Sequence, residues 1–317
     1  MAIPELSDRI ETALNESRML LLGGQVLLGF SYRICFEQGF ERLPHSGQLA
    51  EVVSLSINTA VLGWLIWPSA FHQIAERGAE SEIINTVITR VLDWALLPFA
   101  VGLGLGLYPV IVSLHVAYAA PIAAFFCVFA LALWYGSLVA RDSAKPQNQD
   151  TGNNGGSRGT ENQDQDGAAH SDLSTRIKEV LMECRMALPG AQAYLGFQFA
   201  IVFAQGFEQI PRSSQLVHFI SLLSTTVSIV LLIAPAAFHR LAERGRDTER
   251  FHRVASRLLL SALIFLAPGM AGELFIVIRK VTDDALLSII VSGVLLLGFY
   301  VLWFGVSILR REHGEAR

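Results

Sequence analysis

Long apolar runs constrain this chain more than any other feature. Residues 52–70 and 286–309 contain no acidic, basic or histidine side chain. A helix that crosses a bilayer needs about 20 mostly apolar residues, at 1.5 Å rise each. Eight windows meet that requirement: residues 19–40, 49–71, 87–108, 116–138, 187–207, 216–238, 254–278 and 285–309. The first is interrupted by Gln25, Arg33 and Glu37, the fifth by Gln192 and Gln198. Eight such helices leave too little polar surface for a water-soluble bundle. Composition agrees: 52% of the 317 residues are hydrophobic and 16% charged, against roughly 25% charged in soluble chains. The sequence therefore reads as an all-α integral membrane protein with eight transmembrane helices.

Several classes fall away. A net charge of −4 offers no basic footprint for nucleic acid. Three cysteines, Cys35, Cys127 and Cys184, form no CxxC pair and no disulfide scaffold. No H-E-x-x-H, P-loop, G-x-S-x-G or dinucleotide fingerprint occurs, so neither an enzyme nor a resident cofactor or metal is expected. The alternating Gly102, Gly104 and Gly106 lie inside an apolar helix and suit helix packing.

The chain is also internally duplicated. Shifted by 167 residues, positions 7–78 lie on 174–245 without a gap, and 36 of 72 are identical. Two signatures recur: QGFE at Gln38–Glu41 and Gln205–Glu208, and P-x-A-F-H-x-x-A-E-R-G from Pro68 and from Pro235. An even number of spans per unit makes the second enter the membrane in the same direction as the first. The repeats are then parallel, related by a pseudo-two-fold axis along the membrane normal, unlike the inverted repeats of many transporters.

This divides the chain into a first repeat (1–140), a linker (141–172) and a second repeat (173–317). The linker has no Val, Ile, Leu, Met, Phe, Tyr, Trp or Cys, and its composition predicts disorder. Each repeat opens with an amphipathic segment, residues 6–18 and 173–185, which reads as an interfacial helix. With the N-terminus in the cytoplasm, 19 Lys and Arg fall on that side and 4 on the other. That bias places both termini and the linker in the cytoplasm, as for a bacterial inner-membrane protein.

Candidate functional residues are few. Gln25, Gly29, Arg33, Glu37 and Glu41 recur every four residues along the first helix, hence on one face. The matching positions are Gln192, Gly196, Ala200, Ala204 and Glu208. Arg33 and Glu37 both become alanine, as expected of a mutually dependent ion pair. Gly196, Ala200 and Ala204 form a small-residue ridge instead. An intramembrane charge is costly and needs a protein or water partner, so Arg33, Glu37 and Asp93 are candidates for an ion path. The plainer alternatives are an internal staple or a half-snorkelled pair at the outer interface for Arg33 and Glu37 and, for Asp93, a pair with Arg90. Glu273 has Arg279 as its nearest sequence partner.

Two motifs lie at helix ends. His72 with Glu76, and His239 with Glu243, suit the headgroup level; a metal or pH-sensing role is the alternative. The QGFE turns, with Ser46 or Ser213 capping the next helix, close the opposite end. There Gln38, Glu41, Gln205 and Glu208 are positioned to ring a cation-attracting vestibule.

The QGFE and P-x-A-F-H-[QR] motifs on the first two helices of each unit resemble a bacterial family of small four-helix membrane proteins of unknown function. Members of that family are single units, some named sodium:proton antiporters. The resemblance implies a tandem form of that unit and carries over no catalytic residue. Two functions fit the sequence: a small ion or proton-coupled transporter or channel, and a non-catalytic scaffold. The scaffold would recruit a cytoplasmic protein or anionic lipid at the basic stretch between Arg240 and Arg257. In both cases the repeats pair with each other within the bilayer.

Overall fold

The apolar windows fold as helices, because a backbone in hydrocarbon must satisfy its own hydrogen bonds. The computed structural model describes residues 6–75, 82–116, 118–142, 164–241 and 248–315. Among these there is no strand. The order is α1 (Leu6–Ile34), α2 (Gln38–Glu41), α3 (His45–Ile74), α4 (Glu82–Ser113), α5 (Ala119–Asp142), α6 (Asp164–Ile201), α7 (Gln205–Glu208), α8 (Arg212–Leu241), α9 (Glu249–Thr282) and α10 (Ala285–Tyr300), then a π-helical turn (Val301–Val306) and α11 (Ser307–Glu315). Helices α2 and α7, and α3 and α8, begin and end 167 residues apart. Five segments are long and apolar enough to cross a membrane: His45–Ile74, Thr86–Ser113, Arg212–Ala236, Glu249–Thr282 and Ala285–Glu312. Leu20–Ile34 and Ala119–Ala132 are shorter apolar helical segments.

Local chemistry sets the boundaries. Thr248 caps α9 by accepting from the Phe251 amide at 3.0 Å. Asp283 ends that helix in the left-handed region, at φ 54°, and Asp284 caps α10 by accepting from the Leu287 amide at 3.0 Å.

Four expectations need correction. The segments 6–18 and 173–185 are not separate interfacial helices; they are the leading parts of α1 and α6. No helix breaker stands at Met19 or Met186, so the helix has no reason to stop there. Linker positions 164–172 are helical, as part of α6, and 141–142 belong to α5; residues 143–163 lie outside the described residues. QGFE is not the end of the preceding helix but a turn of its own. Amides of Phe36 and Glu37 bond back to Arg33 and Ile34 at 2.9 and 3.0 Å, and Glu37 then turns extended, at φ −85° and ψ 148°. Finally, Pro44 rather than Ser46 stands at the α3 N-cap, and α8 already includes Arg212 ahead of Ser213.

The two halves meet chiefly along α1 and α6, with α3 also touching α9. Gly29 allows the closest approach, since a Cβ there would lie 1.9 Å from the Phe197 ring. Phe197 also packs on Phe30, with centroids 4.4 Å apart, and Tyr32 meets Tyr194 edge-on at 5.9 Å. The small-residue ridge is therefore not the contact face at its leading residue: a Cβ on Gly196 would meet nothing within 4 Å. The interface uses Phe197, the next residue round the helix. At the chain's end, Phe299 and Trp303 stack at 5.1 Å, Phe299 covers Gly63, and the Trp303 indole donates to the Gly63 carbonyl at 2.7 Å. Gly29→Ala should therefore destabilise the protein by about 1–3 kcal/mol through overpacking, whereas Gly196→Ala should be neutral or stabilising by up to ~1 kcal/mol. Thermal unfolding of the two variants in detergent compares them directly, and equal losses would contradict this interface.

Candidate functional site: buried carboxylates and a cavity beside Glu51

Two sets of aligned positions carry the buried chemistry. In the second half, Glu273 on α9 is fully buried. Its carboxylate meets His218 Nδ1 of α8 at 2.9 Å, and Gln198 Nε2 of α6 donates to it at 2.9 Å. Phe207 packs edge-on against the His218 ring, with centroids 5.0 Å apart. An acid, a base and an amide thus close on one another in a dry space. Arg279 does not pair with Glu273; it bonds Asp283 one turn on.

The first half has the same places filled differently. Counting back 167 residues, Glu51 stands for His218, Ser31 for Gln198 and Gly106 for Glu273. The acid has moved from the second helix of the hairpin to the first, and the side chain opposite is gone. A cavity of about 460 Å³ opens there between α1, α3 and α4. Glu51 is 2% exposed on its inner wall, beside the Ser31 hydroxyl. Gly106 faces it, since a Cβ there would lie 3.8 Å from Glu51 Oε2 and 2.9 Å from Ser54 Oγ.

Deeper in, Ser54 donates to the Gly102 carbonyl at 2.8 Å, and Asn58 Nδ2 donates to Ser54 at 3.3 Å. Asn58 Oδ1 is buried without a partner. The remaining walls are apolar: Leu27, Phe30 and Ile34 from α1, with Leu103, Leu107 and Val110 from α4. Phe30, Ile34 and Val110 are themselves exposed on the outside of the bundle, so the cavity lies open laterally between α1 and α4.

A third polar cluster crosses between the halves. Glu183 of α6, 3% exposed, accepts from Gln73 Nε2 and meets His72 Nδ1, both at 2.7 Å. Glu179 approaches the other nitrogen of His72 at 3.5 Å.

The expected residues are scattered. Arg33 and Glu37 do pair, at 3.1 Å, but their side chains are 46% and 48% exposed, so they form a surface pair rather than a buried one. Glu37 nevertheless stands at the cavity rim. Gln25 is buried against Gly190, while its counterpart Gln192 is exposed. Asp93 is half-buried and forms no ion pair with Arg90; its carbonyl accepts from Tyr135.

His72 turns toward Glu183, and Glu76, Glu243 and the His239 side chain lie outside the described residues. At the QGFE end Gln38 bonds Gln205 directly, the Gly206 amide donates to the Phe36 carbonyl at 3.1 Å, and Lys280 neutralises Glu41 at 2.9 Å. Glu208 is exposed and takes no part in these bonds. The motif thus ties the halves together instead of forming an open ring of acids.

Glu51, His218, Gln198 as a ligand of Glu273, and Glu183 were not singled out by sequence. A signal existed. Positions 51/218 and 106/273 exchange an acid between two helices, a reciprocal change that marks facing side chains. Glu183 repeats as Glu16 in a segment otherwise legible as amphipathic.

Together these elements define a helical bundle with five helices long and apolar enough to cross a membrane and with carboxylates held inside it. The chain belongs to the family of unknown function DUF6328, which matches it twice, over residues 5–138 and 168–307. The double match covers both halves and accords with a tandem duplication. No curated protein and no solved structure matches it.

Two stability outcomes follow. Glu183→Ala should cost about 3–5 kcal/mol, because it removes the buried acceptor of His72 Nδ1 and Gln73 Nε2. Arg33→Ala/Glu37→Ala should stay within about 1 kcal/mol, as exposed pairs do. Denaturation of the purified protein measures both; the opposite order would refute the burial described.

Proposed function

We propose that the chain crosses the plasma (inner) membrane eight times, as two parallel four-helix repeats about a pseudo-two-fold axis, and transports a small cation or proton without enzymatic chemistry. Five segments long and apolar enough to span, with the shorter apolar segments of α1 and α5, support seven of the crossings, and the repeat relation of α6 to α1 supports the eighth. The charge bias supports cytoplasmic termini and linker. The observation that carries the function is Glu51, a buried carboxylate on a cavity wall with no ion pair among the described residues.

A carboxylate in such surroundings is stabilised by binding a cation or by taking up a proton. Both are loading events. Glu37 at the rim and Asn58 at depth bracket Glu51 along the cavity, giving an entry, an acid and an acceptor in sequence. Arg33 draws part of Glu37's charge at the surface, and Asp93 stands apart from this route.

A second reading has one observation of its own: Arg250, Arg253 and Arg257 line an exposed stripe of α9. Such a stripe attracts anionic lipid or an acidic partner protein, as a scaffold would use it. Proteoliposomes separate the two. Transport predicts that wild type dissipates an imposed sodium or proton gradient and that Glu51→Gln slows this roughly tenfold or more. Arg33→Ala/Glu37→Ala should change the rate far less. Absence of flux under every gradient would leave the scaffold.

A further inference from the structure

The second half of the chain displays what the first half lacks. At the position of Glu51 it has a base, His218; at the position of Gly106 it has an acid, Glu273. Base and acid meet at 2.9 Å, and Gln198 completes the acid's contacts. The first half keeps one carboxylate in the equivalent space and supplies no base. Ser31 is shorter than Gln198 and Gly106 has no side chain, and both line the cavity, with Ser54 Oγ filling part of the space beside Gly106.

Three features describe what fits. Glu51 favours a positively charged occupant when ionised, since no basic side chain pairs with it among the described residues. Asn58 Oδ1, buried beside Gly102 on the cavity wall, is an unpartnered acceptor, which suits an N–H or O–H donor or a cation. The walls of Leu, Ile, Phe and Val, open laterally between α1 and α4, require an apolar body. A bare sodium ion or proton suits the polar groups but leaves the apolar walls without a partner.

We infer that the cavity beside Glu51 binds an amphipathic protonated amine, its ammonium between Glu51 and Asn58 and its apolar group along Phe30, Ile34 and Leu107. This rests on Glu51 as a cation site and narrows the cation to an organic one, entering from the bilayer side. His218 against Glu273 is then the built-in counterpart of that complex, a nitrogen base on a carboxylate in the same corner of the fold. The second half is plugged by its own side chains and the first half is plugged by ligand.

Calorimetric titration of the full chain in nanodiscs tests this, with 2-phenylethylammonium as probe and neutral 2-phenylethanol as its uncharged analogue. The expected result is one amine site per chain, with at least about tenfold weaker binding of the alcohol and of the amine to Glu51→Gln, or 1.4 kcal/mol. The triple variant Glu51→His/Ser31→Gln/Gly106→Glu, which rebuilds the second half's plug, should keep wild-type helicity by circular dichroism and bind no amine. Equal affinity for alcohol and amine, or unchanged amine binding in Glu51→Gln or in a folded triple variant, overturns the inference. The outcome is independent of flux. Sodium or proton flux without amine binding would sink the amine and leave the transporter, while amine binding without flux would do the reverse.

Discussion

A polar group inside an apolar helix bundle must find its partner within the protein, and this requirement organises the molecule. Glu273 meets it with His218 and Gln198. Glu183 meets it with His72 and Gln73, and in doing so joins α6 to α3. Both carboxylates have their oxygens committed. Glu51 alone among these three faces open volume. The apolar contacts, such as Gly29 beneath Phe197, bring the helices close; the polar clusters fix which faces meet.

Duplication makes this division of labour possible. Two copies in one chain are free to diverge where subunits of a symmetric dimer are not. The divergence is local: QGFE and the Pro-x-A-F-H segment remain alike, while positions 31/198, 51/218 and 106/273 change together. Changing one of the three alone would bury an acid beside an ill-matched partner, at a cost of several kcal/mol. Their joint change turns one version of the corner into a hydrogen-bonded acid–base cluster and the other into a cavity.

The helices and the repeat were legible in sequence because each rests on many residues: twenty apolar positions per window, 36 identities at one offset. The site was not, because it rests on single residues whose facing partners lie on other helices. Glu51 reads as the polar start of an apolar window, and nothing along α3 tells that Gly106 stands opposite. The four-residue spacing from Gln25 to Glu41 was real as far as Ile34. Beyond that the chain leaves the helix at Glu37, so Glu41 no longer shares the face of Arg33. The joint loss of Arg33 and Glu37 in the second repeat marks a pair but not its depth, since an exposed pair is equally free to be lost as a unit; the half-exposed pair accords with snorkelling at the interface rather than with a buried ion path.

The bonds at the QGFE end have a consequence in time. Gln38 and Gln205 are partners separated by 167 residues of chain. At a synthesis rate of about 5–20 residues per second, roughly ten to thirty seconds pass between the appearance of one and of the other. Throughout that interval the first half stands with the Phe36 carbonyl lacking the Gly206 amide and Glu41 lacking Lys280. The newborn protein therefore lives through an unfinished stage whose exposed end only its own later half completes, and anything that halts translation in the linker strands it there.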